Sequence, residues 1–275
     1  MLEQIHTNTF CLLGFMPLSI SISTSQFADF VYSQQTHTGK IRKHNEDSCA
    51  VFETPNGLLC VVCDGMGGHL GGERASKLAL EKIGNYMCSQ KFPLGKLTEA
   101  LDQSFAEAHA AIAYQAEANP LLRGMGTTCV VILFHPDATF CAHVGDSRLY
   151  IYRNNELIRL TKDHSVVQNL IDEGIITEAE SIYHPKRNLI ERALGSEEAQ
   201  PDILNLGSVL QNLRIGDVFL LCSDGLSNEL SDVEIKNFLE NETLALEEKV
   251  ERMLEHALKA GGKDNITIQL IEKVQ

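Results

Sequence analysis

The chain of 275 residues is 44% hydrophobic and 22% charged, the usage of a globular protein rather than a disordered, collagenous or coiled-coil one. Its 23 Lys and Arg against 37 Asp and Glu give a formal net charge of −14, which argues against a broad basic face for nucleic acid. The length suits one large domain or two small ones.

Residues 10–22, FCLLGFMPLSISI, are apolar, and no Lys or Arg precedes Lys40. The run is too short for a membrane span, carries Pro17 and lacks the positive start of a signal peptide. Residues 1–26 therefore read as a poorly ordered N-terminal extension, and 27–275 as one folded domain. Within that domain, 30–37 and 48–53 have the pattern of short strands. Asn56-Gly57 then makes a hairpin turn into a buried strand, 58–63. Ala75, Leu78, Ala79 and Ile83 share one face of a helix over 73–90. Leu97, Leu101, Phe105, Ala108 and Ile112 do the same over 97–117. Strands follow at 127–134, 138–144, 148–153 and 156–160, with short helices at 165–173 and 177–180. Two more strands fall at 203–208 and 217–222. Ser231 with Glu234 is a capping box for a helix to about residue 240. A further helix over 244–260 stops at Gly261-Gly262, and 266–272 is a last strand. Helices bracketing many antiparallel strands imply sheets covered by helices on the outside.

Cys60, Cys63, Cys129, Cys141 and Cys222 sit in or beside apolar runs. They read as core thiols of a reducing, cytoplasmic protein rather than a disulfide framework. The CxxC of Cys60 and Cys63 has no second pair and lies within a strand, so it does not read as a zinc site.

The aspartates are placed rather than scattered. Asp64 follows LLCVVC, Asp146 follows CAHVG, Asp224 follows VFLLCS, Asp264 precedes NITIQLI and Asp47 precedes SCAVFE. One Asp beside a strand is usually a turn former. Five, with Gly or Asn neighbours, suggest strand ends that meet. Carboxylates so crowded stay ionised only around a cation. Oxygen ligands alone suit Mg²⁺ or Mn²⁺, and two such ions can activate water and clamp phosphoryl oxygens. Gly65, Gly67, Gly68, Gly71 and Gly72 crowd the loop after Asp64 and let backbone approach a ligand. No GxxxxGK[ST] occurs, so a P-loop is not supported. Arg42, five residues before Asp47, is suited to a bidentate grip on phosphate.

In this order, RKHNED (42–47), VVCDGMGGHLGGE (61–73), GMGTT (124–128), AHVGDSRLY (142–150), LTKDHS (160–165), HPKRNLIERALG (184–195), LLCSDGLSNELSD (220–232) and GGKDNITIQL (261–270) resemble the metal-dependent protein phosphatases of the PP2C or PPM family, in particular its bacterial branch. The resemblance spans residues 42–270. It implies an α+β fold, a four-layer αββα sandwich of two packed antiparallel sheets flanked by helices. By matched position, Asp64 would bridge two Mn²⁺ or Mg²⁺ ions and the Gly65 carbonyl would bind one of them. Asp224 and Asp264 would complete the other ion's shell, with Asp47 nearby. Asp146 would serve a third, weaker ion. Arg42 would hold the substrate phosphate, and residues 163–193 would form a flap beside the site. Animal relatives carry a histidine directly after the Asp-Gly pair as general acid. Met66 stands there in this chain, so His69 is the candidate proton donor, with His164 and His184 behind it.

The implied activity is hydrolysis of phosphoserine and phosphothreonine in proteins by a metal-activated water, opposing Ser/Thr kinase signalling. The implied protein is a cytoplasmic monomer whose partners are phosphorylated proteins, without nucleic acid or membrane. The alternatives are a phosphoesterase for small molecules and a non-catalytic regulatory member of the family. The second is disfavoured because no metal carboxylate is missing.

Overall fold

Along most strands, successive side chains enter two different apolar layers, and this alternation builds the fold. The computed structural model describes residues 21–22, 29–67, 70–210 and 212–275. In chain order the strands are β1 (Ser21–Ile22), β2 (Phe30–His37), β3 (Asp47–Thr54) and β4 (Gly57–Met66). The helices α1 (Gly71–Ser89) and α2 (Leu97–Ala118) follow. Then come β5 (Gly126–Thr127), β6 (Cys129–His135), β7 (Ala138–Val144), β8 (Arg148–Arg153) and β9 (Glu156–Arg159). Two short helices, α3 (Val166–Asp172) and α4 (Glu178–Ser181), lead to β10 (Asp202–Asn205) and α5 (Gly207–Leu210). The chain closes with β11 (Val218–Cys222), α6 (Asp224–Ser227), α7 (Asp232–Glu240), α8 (Leu246–Ala260) and β12 (Ile266–Lys273).

The strands form two antiparallel sheets. One has the order β1-β2-β12-β11-β8-β9, the other β10-β7-β6-β4-β3 with β5 beside β4. On β4, Leu59, Val61 and Cys63 enter a core shared with α1 and α2, while Leu58, Cys60 and Val62 enter a core between the sheets. On β11, Phe219 and Leu221 face that same inter-sheet core. Val218, Leu220 and Cys222 face α7 and α8 instead. Three apolar layers therefore separate helix, sheet, sheet and helix, the four-layer sandwich that the resemblance implied. Cys60, Cys63, Cys129, Cys141 and Cys222 are buried free thiols in these layers.

Some elements differ from the sequence reading. The hairpin turn falls at Pro55-Asn56, one residue earlier than Asn56-Gly57. The Asn56 side chain is buried and donates from Nδ2 to the carbonyls of Met87 and Gln90, closing the end of α1. The strand expected over 203–208 stops at Asn205, whose Oδ1 accepts the Gly207 N–H at 2.9 Å and turns the chain into α5. β4 runs on to Met66, so Asp64 lies within a strand instead of after it. Of the extension read over 1–26, Ser21–Ile22 pair with Tyr32 and Val31 of β2, and the rest lies outside the described residues. Among the described residues no helix is long and apolar enough to cross a membrane.

Candidate metal centre

Strand register brings the first two carboxylates together. Asp47 and Asp64 are direct cross-strand partners of β3 and β4. Each continues the run of alternate side chains that face the inter-sheet core. Asp47 Oδ2 accepts hydrogen bonds from Ser223 Oγ at 2.8 Å and Thr267 Oγ1 at 2.6 Å. Those two residues lie at the ends of β11 and β12, so the second sheet reaches the site through Asp47. The backbone of Asp64 is fixed by Thr128, whose Oγ1 accepts its N–H and whose N–H donates to its carbonyl.

The neighbouring glycines are there because nothing else fits. A Cβ on Gly65 would stand 2.1 Å from the Gly72 carbonyl oxygen, where α1 begins. A Cβ on Gly225 would stand 1.9 Å from the carbonyl oxygen of Asn265. Gly225 follows Asp224, which opens α6 directly after β11, and Asn265 follows Asp264, so the close contact draws these two carboxylates together. The Asn265 side chain accepts the Glu46 N–H and donates to the carbonyls of Thr38 and His44, each within 2.9 Å. It thereby holds the loop that carries Arg42. Asp146 follows Gly145, which turns the chain out of β7 with φ +98°.

The cluster repels itself. Burial, and then Asp224 and Asp264, push the Asp47 carboxyl up to about 7. Burial and the other four aspartates push Asp64 well above the ordinary carboxylate range. Burial and Asp224 do the same to Asp146. Asp224 is pushed up to about 6 by burial and Asp264. One oxygen each of Asp47, Asp146 and Asp224 is buried with no hydrogen-bond partner among the described residues. A divalent cation would supply what these oxygens lack, and the donor set is all oxygen, so the residues fit Mn²⁺ or Mg²⁺.

Arg42 sits at the rim, half exposed, with Nη2 2.7 Å from Asp264 Oδ2. Burial works against its charge, but Asp264 more than compensates and holds the guanidinium above its ordinary value. His69 lies outside the described residues. His184 is half-buried, and its Nδ1 accepts the Lys186 N–H. His164 is buried against His143.

The structure adds Glu46, which the sequence reading passed over. It is buried, its Oε1 has no hydrogen-bond partner among the described residues, and burial raises its carboxyl above the ordinary range. The available signal was the adjacent acid pair in HNED. Beside Asp146 and Asp224 opens a groove of about 720 Å³, lined by Ser165, Gln168, Ile182, Arg187, Asn228 and Asp232 among others.

A family model described as Protein phosphatase 2C matches residues 36–270. The chain belongs to the protein phosphatase 2C family. Among members of the family, the serine/threonine protein phosphatase PstP of Mycobacterium tuberculosis is 40% identical over 243 residues. That match covers 88% of this chain and 45% of PstP, so the chain spans about half the length of that relative. The serine/threonine phosphatase stp of Listeria welshimeri is 35% identical over 242 residues, 87% of this chain and 94% of that protein. A crystal structure of the catalytic domain of PstP in complex with two manganese ions superposes with a TM-score of 0.76. It is 38% identical and covers 90% of this chain and 99% of that one.

Proposed function

We propose that this protein phosphatase 2C chain hydrolyses phosphoserine and phosphothreonine in proteins, opposing a Ser/Thr kinase, as a cytoplasmic monomer. The observation that carries the reading is the set of buried aspartates with unpartnered oxygens at one end of the sandwich. The names of its relatives and the manganese in the PstP structure support it. Asp47, Asp64, the Gly65 carbonyl, Asp146, Asp224 and Asp264 would hold two or three Mn²⁺ or Mg²⁺ ions. When bound, the ions supply an activated water and neutralise charge on the phosphoryl oxygens.

The chain's own residues do the rest. Ser223 and Thr267 orient Asp47 by fixing one of its oxygens. Arg42 exchanges Asp264 for two oxygens of the substrate phosphate, a geometry its planar fork suits. His69 gives a proton to the leaving alkoxide. The groove beside Asp146 and Asp224, of about 720 Å³, offers room for the residues that flank a phosphorylated side chain.

The test is phosphate release from a phosphothreonine peptide with added Mn²⁺. Well-folded protein that releases none with any divalent cation would sink the proposal. Asp64→Asn is expected to cost more than the roughly 10–100-fold typical of an outer partner of a metal site.

A further inference from the structure

The two ends of the segment 163–193 meet at His164. Its carbonyl accepts the Glu191 N–H at 2.8 Å, Val166 N–H donates to Leu189, and Ser165 bridges Ile190. His164 also grips both polar groups of a single distant residue. Its backbone N–H donates to the Gly145 carbonyl at 2.9 Å, and its Nδ1 accepts the Gly145 N–H at 3.1 Å. Gly145 immediately precedes Asp146. No side chain fits there, since a Cβ on Gly145 would stand 2.5 Å from Thr128 Cγ2.

The ring is held at Nδ1, while Nε2 has no hydrogen-bond partner among the described residues. It is 5% exposed and stacks on His143 with centroids 4.7 Å apart. Because Nδ1 accepts, the neutral ring carries its proton on Nε2. Nε2 lies 3.3 Å from Asp202 Oδ2, and the other oxygen of Asp202 is held by Arg192. The same tautomer argues against a metal in this place. His143, His164 and Asp202 offer ligand atoms within 4.8 Å of one another. Nε2 has no lone pair to give while Nδ1 keeps its bond to Gly145.

We propose that His164 is a positioning residue that ties the flap to Asp146: through Gly145 it aims the Asp146 carboxylate, so cation binding at Asp146 and the seating of the flap are coupled. This rests on the metal-dependent reading above. His164 acts through Gly145, and its ring gives nothing directly to cation or substrate.

The experiment compares two variants by Mn²⁺ titration calorimetry and by the Mn²⁺ dependence of peptide hydrolysis. His164→Leu keeps bulk and removes the acceptor, while His164→Asn returns an acceptor at the same distance from the backbone. The leucine variant is expected to weaken the weakest Mn²⁺ step about tenfold, as outer partners of metal sites do, and to raise the Mn²⁺ needed for half-maximal rate by a similar factor. The asparagine variant is expected within about threefold of wild type, since it keeps that outer partner. In the unaltered protein the Gly145 amide is expected to be protected from hydrogen exchange, which needs no variant to fold. Wild-type Mn²⁺ binding in the leucine variant, an asparagine variant as weak as leucine, or a fast-exchanging Gly145 amide would each overturn the coupling. A wild-type chain that neither binds Mn²⁺ nor hydrolyses the peptide would overturn the functional reading instead.

Discussion

Asp47 shows how a single side chain is prepared for its task. Two hydroxyls hold Oδ2 and leave Oδ1 bare, so the carboxylate is fixed in direction before any ligand arrives. Thr267→Val removes one of those hydroxyls and keeps the shape of the side chain. A hydrogen bond to a charged group contributes about 1.5–3 kcal/mol. Mn²⁺ affinity measured by calorimetry is therefore expected to fall about 10–100-fold. An unchanged isotherm would show that Thr267 does not orient Asp47. Gly65 and Gly225 work by exclusion, each leaving a gap that a neighbouring carbonyl occupies. None of this is visible in a list of residue types. The sequence marks the aspartates, because Asp beside an apolar run stands out. It says nothing of which hydroxyl faces which carboxylate, since Ser223 and Thr267 meet Asp47 only through tertiary pairing.

At the level of elements, α1 lies close on β3, and Gly84 marks the contact. A Cβ there would stand 2.5 Å from the Phe52 ring. Alanine favours a helix over glycine by about 1 kcal/mol, but overpacking costs about 1–3 kcal/mol. Gly84→Ala is thus expected to lower the stability measured by urea unfolding, and an increase would mean that Phe52 can swing aside. The elements that could be read from the sequence were those with local causes. β7 and β8 begin and end where alternation placed them. α7 opens on the Ser231–Glu234 capping box, with Ser231 Oγ bonded to Glu234. The elements that escaped were set from outside. α6 is four residues, DGLS, too short to show a period. β10 ends at Asn205 because its side chain closes a turn onto Gly207. The pairing of Asp47 with Asp64 needs the register of the whole hairpin, although both residues stood out individually.

For the molecule as a whole, the crowded carboxylates set how stability depends on pH. An acid whose pKa is higher in the folded chain keeps its proton there while the unfolded chain releases it. Without a cation, folding is therefore weakened as pH rises from the ordinary 3.8 through about 6 for Asp224 and about 7 for Asp47. His143 and His164 act the other way. Burial lowers both, His164 to about 4, and their contribution is lost as pH falls below 6.5. Comparing melts with and without Mn²⁺ separates the two effects, because the histidines act in both. The rise in Tm on adding Mn²⁺ is expected to be larger at pH 7 than at pH 5. A gain independent of pH would contradict the carboxylate account. Two or three bound divalent cations would also offset about four to six units of the formal −14.

The β3–β4 hairpin carries a further constraint, one of parity. Side chains alternate along a strand, so sliding β3 by a single residue against β4 would send Asp47 to the helix side and leave Asp64 facing the sheets alone. The same slip would take Val51 out of the inter-sheet core and Phe52 out of its seat beside Gly84. The Pro55-Asn56 turn is therefore subject to the same discipline as the ligands it never touches. A residue added or lost there has to be absorbed within the turn, because the strands admit only shifts that preserve which side each aspartate faces.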